Sequence, residues 1–342
     1  MTSDRPRIRV RNIGTCAGST SASPSRRPTA PSSDDGSRQA PAHVMVTGDT
    51  GSRPHLSADL LRWRHPGVIG VVGVDSALYG PTSIRHGIER AARAAQLMVN
   101  VHNAPAHSAA AVATGIDALR EQMADGVIVI APLHRPDLEP MPADFPVVDA
   151  GGGLGGRVPM TAVDQRRGAA RATRHLLGLG HRTVWHIAGP SSWIDATERL
   201  AGWRQALEDA GREVRPPLTG DWTARSGYQL GRRLARDHDV TAVFAANDSM
   251  AIGLLRALRE AGRRVPEDVS VVGFDDLPES SYTWPPLTTV RQNFAEVGTQ
   301  ALRMLLRRIE RPLNGRARAH FRTSATVNPK MVFRASTGRP AR

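Results

Sequence analysis

Two hydrophobic patterns alternate along the chain from Gly67 onward. Continuous apolar runs, such as 68–74 and 126–130, are typical of strands that are buried on both faces. Between them, stretches such as 82–95 and 249–261 repeat their apolar residues at helical spacing. The same patterns predict further strands at 96–101, 146–148, 183–188, 241–246 and 269–274, and further helices at 108–123, 166–179, 195–211, 226–236 and 295–310.

The alternation of strands with helices indicates the fold class, because strands joined in this way form parallel sheets that carry helices on both faces. About ten strands are more than one sheet of this kind comfortably holds, and loops follow residues 148 and 163. We therefore predict an α/β fold of two doubly wound parallel-sheet lobes with a ligand cleft between them. The predicted bounds are 66–163 with 290–320 for lobe 1, 164–288 with 322–336 for lobe 2, and 337–342 for a basic tail.

The first 50 residues differ in composition from the rest of the chain. They contain no Leu, Phe, Tyr, Trp, Glu or Lys and are rich in Ser, Pro, Arg, Thr and Ala. Such a segment buries too little apolar surface to offset the conformational entropy that folding removes. The sequence therefore predicts that residues 1–50 are disordered.

The formal net charge of +13 is concentrated at the two ends of the chain. Residues 1–65 hold ten Arg against five Asp, residues 311–342 hold eight basic residues and no acidic one, and residues 66–310 hold 27 of each sign. Basic ends favour nucleic acid through phosphate contacts, although a GC-rich genome is an equal explanation, since every basic residue except Lys330 is Arg. The neutral body is not expected to bind a polyanion.

Cysteine usage and hydropathy indicate the compartment. The single cysteine, Cys16, cannot form an internal disulfide, and no Cys/His cluster has metal-ligand spacing. The chain contains no apolar run of about 18 residues that could span a membrane and no apolar secretory signal. We expect a cytoplasmic protein without a cofactor, a metal or a membrane partner.

Two features of the sequence are typical of enzymes, but neither has the structural context that its chemistry needs. Residues 151–156 match G-x-G-x-x-G, but Pro159 and a strand-like run follow where a dinucleotide site needs a helix. Asp275 and Asp276 are adjacent at a strand end and point in different directions, so they do not form an acid/base pair. We expect no enzyme.

Several stretches resemble the lac/galactose repressor family of bacterial transcription regulators, and the resemblance covers Gly51 to about Val332. The matching stretches are Leu177-Gly-Leu-Gly-His181, Ile187-Ala-Gly-Pro190, Glu198-Arg-Leu-Ala-Gly-Trp203, Gly220-Asp-Trp222, Ala245-Ala-Asn-Asp-Ser-Met-Ala-Ile-Gly253, Val265-Pro-Glu-Asp-Val-Ser-Val-Val-Gly-Phe-Asp-Asp276 and Pro285-Pro-Leu-Thr-Thr-Val-Arg-Gln292. The resemblance implies a homodimeric repressor. Its sensor has the fold of type I periplasmic binding proteins, and its partners are a small carbohydrate effector and operator DNA.

Planar polar side chains at strand ends suit a sugar, because they form bidentate hydrogen bonds with hydroxyls while an aromatic face covers the ring. By resemblance Arg199 grips two adjacent hydroxyls and Trp222 stacks on the ring, while Tyr79 is a candidate on the opposite wall. The full set of candidate ligand contacts is Tyr79, Asp149, Asp195, Arg199, Trp222, Asn247, Asp275 and Gln292. Trp193 and Trp203 are interpreted as packing residues, and Asp248 as the N-cap of the helix that follows it.

Residues 51–62 resemble the hinge of the family, with Leu61 at the leucine that enters the minor groove. Residues 1–50, in contrast, lack the apolar periodicity that supports a helix-turn-helix. They are a disordered segment or a degraded DNA-binding headpiece, and we expect no high-specificity operator binding from them.

Two other classes of function remain open. A periplasmic-type sugar-binding protein without DNA binding has the same fold, but it is opposed by the hinge-like residues 51–65. An enzyme with two such lobes is opposed by the failed motifs. The sequence favours a hexose or glycoside over a purine, and leaves open which sugar binds and whether it releases or promotes DNA binding.

Overall fold

The computed structural model describes residues 67–74, 78–104, 108–134, 144–155, 158–310 and 324–341. The predictions for residues 1–50, for the hinge at 51–65 and for Leu61 lie outside the described residues. No helix of the described residues is long and apolar enough to cross a membrane. These residues also contain no group of three or more His, Cys, Asp or Glu that could hold a metal ion.

Strands and helices alternate as the hydrophobic pattern predicts. In chain order they are β1 (Val68–Val74), α1 (Tyr79–Ala94), β2 (Met98–Ala104), α2 (Ala109–Glu121), β3 (Gly126–Ile130), β4 (Val147–Ala150), β5 (Met160–Val163), α3 (Gln165–Gly178), β6 (Trp185–Ala188), α4 (Ile194–Asp209), β7 (Leu218–Thr219), α5 (Ala224–Leu234), β8 (Ala242–Ala245), α6 (Asp248–Glu260), β9 (Ser270–Val272), a 3-10 helix (Pro278–Ser281), β10 (Thr289–Arg291), α7 (Phe294–Ile309), β11 (Ser324–Val327) and β12 (Lys330–Val332).

Lobe 1 contains a six-stranded parallel sheet in the order β11-β5-β4-β3-β1-β2. Side chains alternate between the faces of a strand, so β1 directs Ile69 and Val71 to one face and Val72 to the other. The first face packs against α1 and α7, and the second against α2. Burial on both faces explains why these strands are continuous apolar runs.

Lobe 2 contains a four-stranded parallel sheet in the order β7-β6-β8-β9. Helices α3 and α4 cover the face that carries Phe244 and Val272, and α5 and α6 cover the face that carries Val243 and Val271. An antiparallel pair, β10 with β12, continues this lobe, and a bridge between Val272 and Thr288 joins it to β9. The predicted fold class is therefore confirmed.

The bounds of the lobes differ from the predicted ones at two strands. Strand β11 was expected in lobe 2, but it pairs in parallel with β5, and Val327 joins the lobe 1 core. Strand β10 falls largely within the predicted lobe 1 segment 290–320, but Val290 is buried in the lobe 2 core. Both strands are too short for their pattern to identify a sheet. The chain still passes between the lobes three times, after β5, after β10 and after β11.

Helices α5 and α6 pack so closely that their backbones touch. A Cβ atom added to Gly253 would lie 1.9 Å from the carbonyl oxygen of Ala224, and one added to Gly227 would lie 2.1 Å from that of Met250. Neither oxygen belongs to a flexible side chain that could move away. The two glycines therefore fix the distance between the helices on this face of lobe 2.

We predict that Gly253→Ala destabilises the protein by about 2 kcal/mol or more, because the methyl group forces α5 and α6 apart. Gly178→Ala is the matched control, since a Cβ atom there meets nothing within 4 Å. The control should change stability by less than about 1 kcal/mol, in the stabilising direction, because Ala favours a helix. Denaturant unfolding measures both free energies. Equal values for the two variants would contradict the packing argument.

Candidate ligand-binding site

The predicted polar residues of lobe 2 converge at one edge of its sheet. Asn247 follows β8, Asp275 follows β9 and Gln292 follows β10 directly, while Arg199 lies in the second turn of α4 after β6. The carboxyl ends of parallel strands share one edge, which is where doubly wound lobes bind ligands. The structure therefore brings these four predicted residues together at one edge of lobe 2, and their contact with a ligand stays a prediction.

Arg199 is the centre of this cluster, with only 3% of its surface exposed. Its Nε donates to Oε1 of Gln165 at 2.9 Å, and its Nη1 donates to the carbonyl oxygen of Ala246 at 2.6 Å. The guanidinium carbon lies 4.0 Å from the ring centroid of Phe274 and 5.6 Å from that of Trp222. Burial and these contacts fix the orientation of the guanidinium.

Two carboxylates flank the guanidinium. Oδ2 of Asp195 lies 3.6 Å from Nη2 of Arg199, and Oδ1 of Asp275 lies 3.6 Å from Nη1. These separations are within the range of an ion pair but too long for a hydrogen bond. The Arg199 nitrogens and the carboxylate oxygens that face them can therefore each form a further hydrogen bond. A ligand hydroxyl group suits this arrangement, because it is both a donor and an acceptor.

A chain of amides closes the cluster into a ring. Nε2 of Gln165 donates to Oε1 of Gln292 at 2.9 Å, and Nε2 of Gln292 donates to Oδ1 of Asp275 at 2.6 Å. With Arg199 these residues form the polar ring Arg199–Gln165–Gln292–Asp275. Gln165 was missed by the sequence analysis. Its signal was available, since it follows the strand ending at Val163 by two residues, but that position was interpreted only as a lobe boundary.

Burial shifts the carboxyl groups of the site toward the neutral form. It raises the pKa of Asp275 to about 7, against the opposing effect of Arg199. It likewise raises the pKa of Asp195, again opposed by Arg199, and raises that of Asp248 to about 6. Burial therefore keeps part of the Asp275 population protonated near neutral pH.

Asn247, rather than Asp248, is the N-cap of α6, which corrects the prediction for Asp248. Oδ1 of Asn247 accepts a hydrogen bond from the amide of Met250 at 2.9 Å, and its Nδ2 donates to the carbonyl oxygen of Trp222 at 3.0 Å. Asn247 thus holds the segment that carries the Trp222 ring. Asp248 is fully buried and accepts from three other groups, the amide of Leu277 and the hydroxyls of Ser280 and Thr289.

Trp222 occupies a constrained position beside Arg199. Its ring lies against Gly189, where an added Cβ atom would come within 2.3 Å of the indole. Its backbone φ of 73° is left-handed, as is the φ of 59° at Asp276, and Asp275 has a φ of 116°. Backbone strain of this kind is concentrated at functional sites. The Nε1 atom of Trp222 is buried and has no hydrogen-bond partner among the described residues.

Trp203 and Trp193, which were interpreted as packing residues, both lie against protein. Trp203 is fully buried and its Nε1 donates to the carbonyl oxygen of Val184 at 2.9 Å, which confirms its packing role. Trp193 meets Trp222 edge to face, with ring centroids 6.0 Å apart, and packs against the apolar clusters of both lobes. Trp193 is therefore part of the contact between the lobes.

Lobe 1 contributes Tyr79 and Asp149 to the described structure. Burial raises the pKa of the Tyr79 hydroxyl, a hydrogen bond with Ser83 opposes this rise, and the lobe 2 carboxyl groups, chiefly Asp275, add to it. The predicted contact of Tyr79 with a ligand stays a prediction. Asp149 lies at the end of β4 and accepts from the amides of Gly152 and Leu154 at 3.0 and 2.7 Å. Asp149 therefore organises the glycine loop; its predicted contact with a ligand stays a prediction.

The glycine loop has a packing function. A Cβ atom on Gly153 would lie 1.6 Å from the carbonyl oxygen of Ala131, so only glycine allows this approach of the two backbones. Strand β5, rather than a helix, follows the loop. This arrangement lacks the helix N-terminus of a dinucleotide site and agrees with the sequence interpretation.

Backbone hydrogen bonds join the lobes beside the polar ring. The amide of Ile194 donates to the carbonyl oxygen of Pro132 at 3.0 Å, and the amide of His134 donates to that of Ser192 at 2.9 Å. The His134 ring also contacts the hydroxyl of Thr197 at 3.0 Å. Helix α4, which carries Arg199, therefore begins at a contact between the two lobes.

Comparison with known proteins agrees with this geometry. Residues 173–337 match a family model described as a periplasmic binding protein-like domain. The lactose operon repressor of Klebsiella pneumoniae is 35% identical over 259 residues, which cover 74% of this chain and 73% of that repressor. The chain belongs to the lac repressor family of transcriptional regulators. The predicted family is thus confirmed.

The regulator CelR is similar to the chain both in sequence and in structure. The transcriptional regulator CelR of Thermobifida fusca is 42% identical over 200 residues, which cover 56% of this chain and 58% of that protein. The structure of a CelR–cellobiose complex matches with a TM-score of 0.68 at 32% identity, covering 80% of this chain and 86% of that chain. These relatives are regulators rather than enzymes.

We predict that Asp275→Asn changes how stability depends on pH. The pKa of Asp275 is raised from 3.8 to about 7 in the folded protein, so the folded state binds this proton more tightly than the unfolded state. The parent therefore loses stability as the pH rises through this window. The free energy of unfolding of the variant, relative to the parent, should increase by about 1–4 kcal/mol between pH 4 and pH 8.

Denaturant unfolding across this pH range measures the difference, and Asp268→Asn is the control. Bonds to Arg264 lower the pKa of Asp268 to about 2. This carboxyl is ionised above pH 5 in both states, so the control difference should stay constant from pH 5 to pH 8. A constant difference for Asp275→Asn as well would contradict the burial argument.

Proposed function

We propose that this member of the lac repressor family is a sugar-responsive transcription repressor that binds a neutral carbohydrate between its two lobes. The observation that carries the proposal is the polar ring of Arg199, Gln165, Gln292 and Asp275 with the face of Trp222 beside it. Fixed donors and acceptors next to an aromatic face complement the hydroxyls and the C–H face of a sugar. The resemblance of the chain to sugar regulators supports the same conclusion.

The charge balance of the site supports a neutral ligand. Within this cluster of described residues Arg199 is the cation, and two carboxylates, Asp195 and Asp275, already face it. An anionic ligand, such as a sugar phosphate, would bind only if these two carboxyl groups were protonated, because like charges repel strongly in a buried site. A purine would present fewer hydroxyl-like groups to the ring. A neutral glycoside fits the charges and the hydrogen-bonding groups of this site best.

The proposed effector is cellobiose or a related glucoside. The similar structure of CelR is a complex with cellobiose, and CelR of Thermobifida fusca is 42% identical to the chain over 200 residues. The relation to regulators also favours a cytoplasmic, homodimeric, operator-binding protein over a periplasmic-type sugar-binding protein. The expectation that residues 1–50 give no specific operator binding stays a prediction, because they lie outside the described residues.

We predict that Arg199→Lys weakens cellobiose binding by about 2–4 kcal/mol, or roughly 30- to 1000-fold in Kd. Lysine keeps the charge but loses the planar fork that holds Gln165, Ala246 and two hydroxyls at once. Arg204→Lys is the matched control, because Arg204 is exposed on the same helix. Isothermal titration calorimetry measures both affinities. An unchanged Kd in Arg199→Lys would remove this residue from the site.

A ligand panel in the same calorimeter tests the proposed class of effector. Cellobiose should bind the parent, whereas a phosphorylated glucoside and a purine base should bind at least about tenfold more weakly, a difference of about 1.4 kcal/mol. Tighter binding of the phosphorylated sugar would contradict the charge argument. Tighter binding of the purine would overturn the carbohydrate proposal.

We predict that a saturating sugar shifts the tryptophan emission of the parent and that Trp222→Phe abolishes the shift. A sugar ring stacked on the indole changes the surroundings of that ring, and phenylalanine keeps an aromatic face without indole emission. Trp284→Phe is the control, because this side chain is 82% exposed. A shift that survives intact in Trp222→Phe would assign the stacking role to another residue.

A further inference from the structure

The three passages of the chain between the lobes are hydrogen bonded to one another around Gln165. Asp164, in the first passage, donates its amide to the carbonyl oxygen of Val327 at 3.0 Å, where the third passage begins. Asp164 also caps α3 through the amide of Arg167 at 2.9 Å. Gln165 follows it and bonds to Gln292, which lies in the second passage between β10 and α7. Residues 164 and 165 thus tie all three passages together.

The same amide group of Gln165 also holds the arginine of the site. Its Oε1 accepts from Nε of Arg199 at 2.9 Å while its Nε2 donates to Gln292 at 2.9 Å. Gln165 has 6% of its surface exposed, so water does not readily replace either bond. One amide therefore links the guanidinium in lobe 2 to the point at which the chain passes between lobes.

We infer that Gln165 is a positioning residue that couples occupation of the sugar site to the closed arrangement of the two lobes. This inference rests on the proposed function. A ligand that fixes Arg199 and Asp275 also fixes the two ends of the amide chain, Gln165 and Gln292, and hence two of the three passages. Without the amide, Arg199 still binds ligand through its remaining contacts, but its position no longer constrains the passages.

The hydrogen bonds between the lobes provide a direct measure of closure. The amides of Ile194 and His134 donate to carbonyl oxygens of the opposite lobe, so they exchange with solvent hydrogen when the lobes separate. Amide hydrogen exchange at these two positions, with and without cellobiose, reports closure independently of affinity. In the parent, saturating cellobiose should slow both exchange rates.

Gln165→Leu removes both hydrogen bonds and replaces the amide with an apolar side chain of similar volume. Its Kd for cellobiose should rise about tenfold or more, because Arg199 loses a partner in a buried site. At saturating cellobiose the amides of Ile194 and His134 should remain less protected than in the saturated parent. Gln300→Leu is the matched control, since Gln300 bonds Thr161 and Glu296 within lobe 1 and is outside the ring. It should leave both readouts unchanged.

A second variant reverses the direction of the hydrogen bonds around the ring. Its effect distinguishes a positioning role of Gln165 from a packing role. In Gln165→Glu the new carboxylate accepts from Arg199, and Gln292 must turn its amide and present Oε1 to the Asp275 carboxylate. In the Asp275→Asn background, the new asparagine amide donates to that oxygen and the ring closes again with the same total charge. At about pH 9, above the pKa of about 7 that burial gives Asp275, this carboxylate cannot donate to Oε1 of Gln292. At that pH Gln165→Glu should therefore weaken binding about tenfold or more in the parent and less than about threefold in the Asn background.

The outcomes separate this inference from the proposed function. If the parent binds neither cellobiose nor another sugar, the proposed function fails. The two amides donate across the lobes without ligand, so unchanged exchange in ligand-free Gln165→Leu would then overturn the inference as well. If the parent binds sugar and Gln165→Leu closes fully at saturation, the inference fails while the proposed function stands. Equal effects of Gln165→Glu in the two backgrounds would also overturn it.

Discussion

The structure of lobe 2 depends on one buried guanidinium. Removing the charge of Arg199 from water is costly, and the cost is offset only where neighbouring groups satisfy its donors and its charge. Those groups come from Gln165 on α3, the carbonyl of Ala246 after β8, and carboxylates at the start of α4 and after β9. One side chain therefore constrains the relative positions of four segments that are distant in sequence.

The same constraint gives the site its selectivity. A guanidinium that faces two carboxyl groups attracts an anion less than an isolated one does, and it retains directional donors for hydroxyl groups. The raised pKa of Asp275, near 7, means that this carboxyl is partly protonated at physiological pH and can donate as well as accept. Ligand recognition in this cleft therefore relies on geometry more than on net charge.

The sequence predicted the fold class, because the fold class depends on local patterns. Continuous apolar strands indicated parallel sheets, and the resemblance to the repressor family supplied Arg199, Asp275 and Gln292, which the structure brings together at strand ends. The sequence could not assign β10 and β11 to their sheets, because three or four residues pair according to tertiary contacts. Gln165 was missed for a related reason, since its partners lie 34 and 127 residues away. Capping by Asn247 rather than Asp248 depended on backbone angles that a motif does not specify.

The three passages between the lobes determine when each lobe can be completed during synthesis. Strand β11 finishes the sheet of lobe 1 and strand β12 pairs within lobe 2, and both lie between residues 324 and 332. A ribosome makes these strands after all the other elements described. Most chains fold one contiguous domain at a time as it emerges. Here both lobes stay incomplete until the same nine-residue stretch has left the exit tunnel. Neither lobe can therefore finish folding before the other and guide its folding.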